Sequence, residues 1–515
     1  MDTSSPAARA ERRAARRQQR SEIPLTKIPL REVRNPLPAL EVISAEGVER
    51  IHQASLRLLE ETGICVMDEE GLSLFEKAGA KVDHVSQMVK FDRGLLMGWV
   101  SKAPAEFTWR ARNPEHNVRI GGNRIAFAPN GGMPYAQNLD TGRHRATLKD
   151  YEVFCKLGQM CNAIHINAGE LVAINDVPSS KRHLRRLLTN FTFTDKPVIE
   201  AAHGRIIPQD CLNMAQLVFG DLGGDPIFGG IINVSSPLRY HGRMTGGLIA
   251  YARAGQVAII TPFISAGAMG PITIAGALTQ QNAEALVGIA LTQIVNPGVP
   301  VIYGNFTTPT DMKSGAPAFG TPEAAWATIV SAQLARYYKL PFRGSGALTT
   351  AKVPDAQASY ESLWSMWPVI MAHTNFVLHT AGWLEGGLTA SYEKWVMDIE
   401  NAAMFIHFLQ GFEINSDTLA LDMIAEVGPG GHHFGTPHTQ ARFATEFYQS
   451  TLADRLGYET WAAAGEWDAA KRANQIWKDM LAQYEPPPLD SNLAQALTEF
   501  VEKRERELEG KNLYD

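Results

Sequence analysis

"VAIITPFISAGAMGPITIAGALTQQNAEALVGIALTQIVNPGVPVIYGNFT" (residues 257–307) reads as one strand, one helix and a second strand. The outer runs, "VAIITPFISAG" (257–267) and "PVIYGNFT" (300–307), are short and rich in β-branched residues, and each closes on small polar residues or Gly. Between them "NAEALVGIALTQIVNPG" (282–298) has helical length and stops at Asn-Pro-Gly. Two parallel strands need a crossover of a dozen or more residues, so this unit predicts parallel neighbours.

The same pattern recurs on both sides. Further strands are expected at "RIAFAPNGG" (124–132), "AIHINAGE" (163–170), "PVIEAAHG" (197–204), "IFGGIINVSS" (227–236), "PFRGSGA" (341–347) and "NFVLHTAGW" (375–383). Helices such as "TPEAAWATIVSAQLARYYK" (321–339), "PDAQASYESLWSMWPVIMAH" (354–373) and "EKWVMDIENAAMFIHFLQG" (393–411) separate the later strands. Eight units in roughly 290 residues match a (β/α)8 barrel of the α/β class. A doubly wound sheet is the weaker reading, because no G-x-G-x-x-G opens a helix after the first strand.

The chain therefore divides into an Arg-rich arm (1–40), a helix and small β extension (41–123), the barrel (124–411), and a loop with helices packed on the barrel (412–515). Arginines at 9, 12, 13, 16, 17 and 20 mark the arm as a solvated, extended or disordered segment. "SAEGVERIHQASLRLLEETG" (44–63) predicts a helix with Ser44 as N-cap and Gly63 as its stop.

The net charge of −6 argues against a general nucleic-acid binder. Four scattered cysteines without a C-x-x-C pair give neither a disulfide framework nor a zinc ribbon. No signal-peptide pattern is present, and Pro262 and Pro271 break the longest uncharged run. A cytoplasmic chain with no membrane span is expected.

In such barrels the chemistry sits at the C-terminal ends of the strands. That rule nominates Asn130, Tyr135, Glu170, His203, Asn233, Ser265, Tyr303, Asn305, Arg343 and His379. Each is also a residue type that closes a strand by satisfying its backbone. Glu170 is the one acid in the set, so a paired-carboxylate glycosidase is poorly supported. Tyr303, Phe306 and Trp383 stand at or just past strand ends, and aromatic walls attract quaternary ammonium groups by cation–π contact.

"SAGAMGPITIAGALTQQNAEALVGIALTQIVNPGVPVIYG" (265–304), "PDAQASYES" (354–362) and "EVGPGGHHFGTPHT" (426–439) together resemble the trimethylamine methyltransferase family of corrinoid-dependent enzymes. The resemblance runs over roughly residues 44–484. It implies a barrel that moves a methyl group from a methylated amine to a corrinoid (cobalamin) carried by a separate protein. The members acting on trimethylamine carry pyrrolysine, which this chain lacks, so the likeness is to glycine betaine methyltransferases acting on quaternary amines.

On that resemblance His379, Glu170 and Asn233 are the catalytic candidates, with Tyr303, Phe306, Trp383, Arg343, His379, Asn305 and Ser265 contacting substrate. Arg343, or His379 if protonated, would take a betaine carboxylate. Tyr135, Met269, Gly270, His432 and His433 would face the corrinoid or form a lid, and no metal is expected on this chain. "SLWSMWPVIMAH" (362–373) could cover a homo-oligomer interface. Other readings stay open: another methylamine as substrate, a metal-dependent hydrolase using His432, His433 and His438, or a betaine-binding sensor without turnover.

Overall fold

A computed structural model describes residues 24–167 and 169–513. Seven parallel barrel strands are regular: Arg124–Phe127, Val198–Ile199, Phe228–Val234, Val257–Ala266, Val301–Gly304, Phe342–Ser345 and Phe376–Leu378. Neighbours pair in parallel, as in Ile259 with Ile302 and Arg343 with Phe376. The last strand pairs back onto the first through Phe376 and Ala126.

The second barrel position, expected as a strand at 163–170, is an extended segment instead. Its backbone still closes the ring: His165 N donates to Phe127 O (2.9 Å), and Asn167 N donates to Pro197 O (2.8 Å). Among the described residues Asn167 bridges Val198 in parallel, and Gly169 lies so close to the next strand that a Cβ there would be 1.7 Å from Ile199 O. Eight parallel staves therefore close the ring, and their apolar residues divide between two large buried clusters.

The N-terminal end of the barrel is plugged by an antiparallel pair, Glu106–Trp109 with Val118–Gly121. Trp109 is wholly buried and its Nε1 donates to Ile227 O (2.9 Å). Gly229 makes room for that ring, since a Cβ there would lie 2.2 Å from it. Helix Ala45–Glu61 starts on Ser44, whose side chain accepts from Gly47 N, and packs with Arg93–Val100 against helix Ile274–Val295. An N-cap of this kind contributes about 1 kcal/mol. Helix Ile274–Val295 is consequently covered on nearly every face, and it begins a full two turns before the expected residue 282 because Thr273 caps it.

Residues 1–23 of the Arg-rich arm lie outside the described residues. The described remainder of the arm includes an extended stretch docked on the barrel. Val33–Arg34 pairs antiparallel with the first barrel strand, and Asn35 Nδ2 donates to Ile370 O (2.8 Å). Beyond the barrel, helix Ala469–Ala482 packs on helix Tyr392–Phe408, with the Trp477 and Tyr392 rings 5.0 Å apart. Helix Ser491–Glu507 is tied to helix Arg182–Phe193 by the Arg185–Glu505 pair (2.6 and 2.7 Å). Residues 412–447 between them stay on the surface rather than packing on the barrel. Among the described residues, no helix is long and apolar enough to cross a membrane.

Candidate active site at the barrel mouth

A cavity of about 230 Å³ opens at the C-terminal ends of the strands. Of the nominated residues it gathers Glu170, Asn233, Phe306, Arg343, His379 and Trp383, with His203 beside them. Ile231 and Thr261 form its floor, and the backbone of Gly131, Gly132 and Gly169 forms part of its rim.

Arg343 is the most constrained charge. It is 1% exposed, its Nη1 donates to Asn305 O (2.7 Å), and its Nε has no partner. Burial pulls its pKa down to about 9, and no described carboxylate offsets that cost. Its guanidinium lies 5.3 Å from the centroid of Phe306. The Trp383 indole N–H and the Asn130 side-chain amide, both buried and on adjoining loops, also lack partners within the protein. Of these, Arg343 and Trp383 line the cavity and bring unmatched donors to one wall, which an anion would satisfy, while Asn130 lies behind it against Gly382.

His379 is held neutral, its pKa well below the imidazole range through burial and then through Arg343. Its Nδ1 stands 3.1 Å from Ser345 Oγ, and its backbone adopts φ 60°. A protonated His379 holding a carboxylate is therefore disfavoured, since a cation would have to sit buried beside a second one. Its ring lies 4.4 Å from Trp383 and 5.4 Å from Phe306. Phe319 stacks on Phe306 at 5.6 Å and completes an aromatic wall.

The opposite wall is acidic. Glu170 contacts Arg186, which holds its carboxyl below the usual range. Glu200, absent from the sequence-based set, is fully buried and accepts from Asn190 Nδ2 (3.1 Å) and Ala201 N (3.2 Å). Arg186 Nη2 stands 3.9 Å from it. Burial raises the Glu200 pKa to about 7 against the pull of Arg186. Glu200 sits within an apolar run, and Arg186 sits on the same helix face as His183 and Asn190, so the signal for both was a charge at a core position.

Other expected contacts fall outside the cavity. Tyr303 is wholly buried against a helix, its OH donating to Asn282 Oδ1 (2.9 Å). Asn305 Nδ2 donates to Ser331 Oγ (2.9 Å), so its side chain also faces the helical layer. Ser265 pairs with Thr310 Oγ1 (2.6 Å) at the far end of a strand. Residues two apart on a strand share a face, which turns Tyr303 and Asn305 outward together while Ile302 and Phe306 face in.

Tyr135 belongs to a four-stranded cap beside the mouth, with the Arg143 guanidinium 3.5 Å from its ring centroid. Met269 and Gly270 form a turn in which Met269 O accepts from Gln280 Nε2 (3.0 Å). His432 and His433 are exposed, and neither lines the cavity as a lid would. Among the described residues no cluster of three or more His, Cys, Asp or Glu is placed to hold a metal ion, so His432, His433 and His438 do not form one.

A family profile described as "Trimethylamine methyltransferase (MTTB)" matches residues 9–509. The chain is 40% identical over 475 residues to a glycine betaine methyltransferase of Desulfitobacterium hafniense, covering 92% of this chain and 98% of that one. It is 33% identical to a trimethylamine methyltransferase of Desulfitobacterium hafniense, covering 90% and 94%. A trimethylamine methyltransferase of Methanosarcina mazei is 28% identical, covering 91% and 96%.

Proposed function

The chain belongs to the trimethylamine methyltransferase (MTTB) family, and we propose that it transfers a methyl group from a carboxylated quaternary amine, of the glycine betaine kind, to the corrinoid of a separate protein. The observation that carries this reading is Arg343, a buried guanidinium without a carboxylate in an aromatic-walled cavity. A betaine supplies the missing anion. Trimethylamine brings none and would leave Arg343 uncompensated, which weighs against it as substrate.

The residues present suit such a transfer. A quaternary nitrogen already carries the positive charge that makes it a leaving group, so no acid has to activate it. The C–N bond breaks, its electron pair stays on nitrogen, and a neutral tertiary amine is left. A corrinoid held by a partner protein would supply the electron pair for the new bond to carbon. Arg343 and the Trp383 indole N–H fix the carboxylate, so the reacting methyl is held in line. Phe306, Trp383 and neutral His379 line the cavity and help to exclude water from it. Access is supported by the rim at Gly132, where open space surrounds the Cβ position.

Mixing the protein with cobalt(I) cobalamin or a corrinoid protein and glycine betaine should produce the methylcobalamin absorbance. Arg343→Ala should raise KM for glycine betaine by about 10–100-fold, the loss of a charge-assisted pair worth about 1.5–3 kcal/mol. Choline, which has no carboxylate, should be a poor substrate for the native protein and no poorer for the variant. An unchanged KM for glycine betaine removes Arg343 from carboxylate binding. Binding without any transfer would instead favour a sensor. We also propose self-association of this chain, supported by the apolar surface at its C-terminal arm.

A further inference from the structure

The cavity carries opposite charges on opposite walls. Glu200 follows the third barrel strand and Arg343 lies within the seventh, four staves apart in a ring of eight. Glu170 ends the second position, across from Phe306 at the sixth. On the acidic wall two carboxyl groups share one guanidinium, Arg186, so ionisation of both leaves a surplus negative charge where Glu200 is wholly buried. The basic wall has Arg343 over the face of Phe306, and Phe319 stacked on the same ring. The aromatic side is therefore already occupied by a cation. A second cation placed there would meet repulsion in a dry site.

Resting on the betaine reading above, we infer that the Glu170–Arg186–Glu200 cluster is the subsite for the trimethylammonium head, and that seating the head there ionises Glu200. The zwitterion then spans the barrel with each end against its opposite charge. An opposite charge within about 4–6 Å favours the ionised form of a carboxyl.

The groups around Glu200 single it out as the one that changes state. Arg186 is raised further above its ordinary range by Glu170 and Glu200 despite its burial, and stays charged. Glu170 is held ionised by Arg186. Burial lifts Tyr151, Tyr251 and the Cys211 thiol well above their usual values, so these stay neutral. His203 is pushed down by burial and stays neutral near pH 7. Asn190 cannot titrate. With Glu200 raised to about 7, the empty cavity at neutral pH holds a mixture of its two forms.

The test is calorimetric titration of the native protein at pH 7 in two buffers of different ionisation enthalpy. The ligands are glycine betaine and 3,3-dimethylbutanoate, which keeps the shape and carboxylate but replaces nitrogen by carbon. Glycine betaine should release roughly half a proton per site at pH 7 and almost none at pH 8.5, as expected for a group titrating near 7. The carbon analogue should release none. At pH 8 the native protein should prefer glycine betaine by about 10-fold or more, and Glu200→Gln should lose that preference while still binding the analogue as the native protein does.

Equal affinity for the two ligands in the native protein, or glycine betaine binding with no proton release at pH 7, would overturn the inference. Binding is read without transfer. A chain that shows release and charge preference but moves no methyl keeps this subsite and loses the proposed activity, and transfer without them does the reverse.

Discussion

Glu200 and Arg343 are both buried ionisable groups, and Glu200 has a measurable pH signature. The Glu200 pKa is about 7 in the folded chain against an ordinary 4.5. The folded state therefore holds this proton more tightly than the unfolded one. Its contribution to stability is complete below about 4.5 and is lost as pH rises through 7. The melting temperature of the native protein should accordingly fall more steeply between pH 5 and 8 than that of Glu200→Gln. Parallel curves in scanning calorimetry would show that Glu200 does not titrate in that window. Arg343→Met, by removing an unpaired buried charge, should stabilise the empty protein by about 1–3 kcal/mol while weakening glycine betaine binding. Arg343 was legible in the sequence because it is the one charge in the short strand candidate "PFRGSGA". Glu200 was not, since "PVIEAAHG" places it inside an apolar run where an acid reads as an interruption of the strand.

At the scale of elements, the cavity wall depends on close approaches that only small residues permit. Helix Gly242–Arg253 rests directly on the 201–202 backbone, and a Cβ on Gly247 would lie 1.9 Å from Ala202 O. Gly247→Ala must push the helix or the wall aside, which costs about 1–3 kcal/mol and displaces His203 and Glu200 with it. The expected result is a lower melting temperature together with a raised KM, and a variant that melts normally with native KM would contradict this packing. The loop bearing Trp383 is held differently. Asp398 accepts from Gly382 N (2.8 Å) and pairs with the equally buried Lys394 (2.6 Å), whose Nζ also donates to Ala347 O (3.2 Å). Asp398→Asn strands the Lys394 charge in the core, and a loss of about 3–5 kcal/mol in denaturant unfolding is expected.

Most elements were visible because strand and helix periods differ so clearly along residues 197–408. The second stave, expected as a regular strand at 163–170, is an extended segment because its pairing rests on a few backbone bonds. Which side of each strand faces the cavity was harder to read. Buried strands of a parallel barrel are apolar on both faces, so "VIYGNF" gives no alternation to show that Ile302 and Phe306 point inward and Tyr303 and Asn305 outward.

For the whole molecule, the barrel was legible and the arm beyond it was not. The histidine-rich stretch at 426–440 was read as a lid, yet no residue of 412–467 lines the cavity. What this segment offers instead is apolar surface: Phe412 is 85% exposed, Phe434 82% and Ile414 74%. Scattered exposed hydrophobics are ordinary, but this surface adjoins another on the barrel helices, where Tyr360, Trp364, Trp367, Met404 and Phe408 are also exposed. The two meet where helix Tyr392–Phe408 ends and the arm begins. Surfaces of this kind are covered in an assembly, and a second copy brings both the arm and the helix face it would cover. Sedimentation of the native protein should show an oligomer. Phe412→Glu combined with Ile414→Glu should weaken self-association at least 10-fold while leaving glycine betaine affinity unchanged, because the cavity lies wholly within the barrel. A native protein that sediments as a monomer at micromolar concentration, or a double variant that assembles as the native chain does, would rule out this surface as the contact between copies.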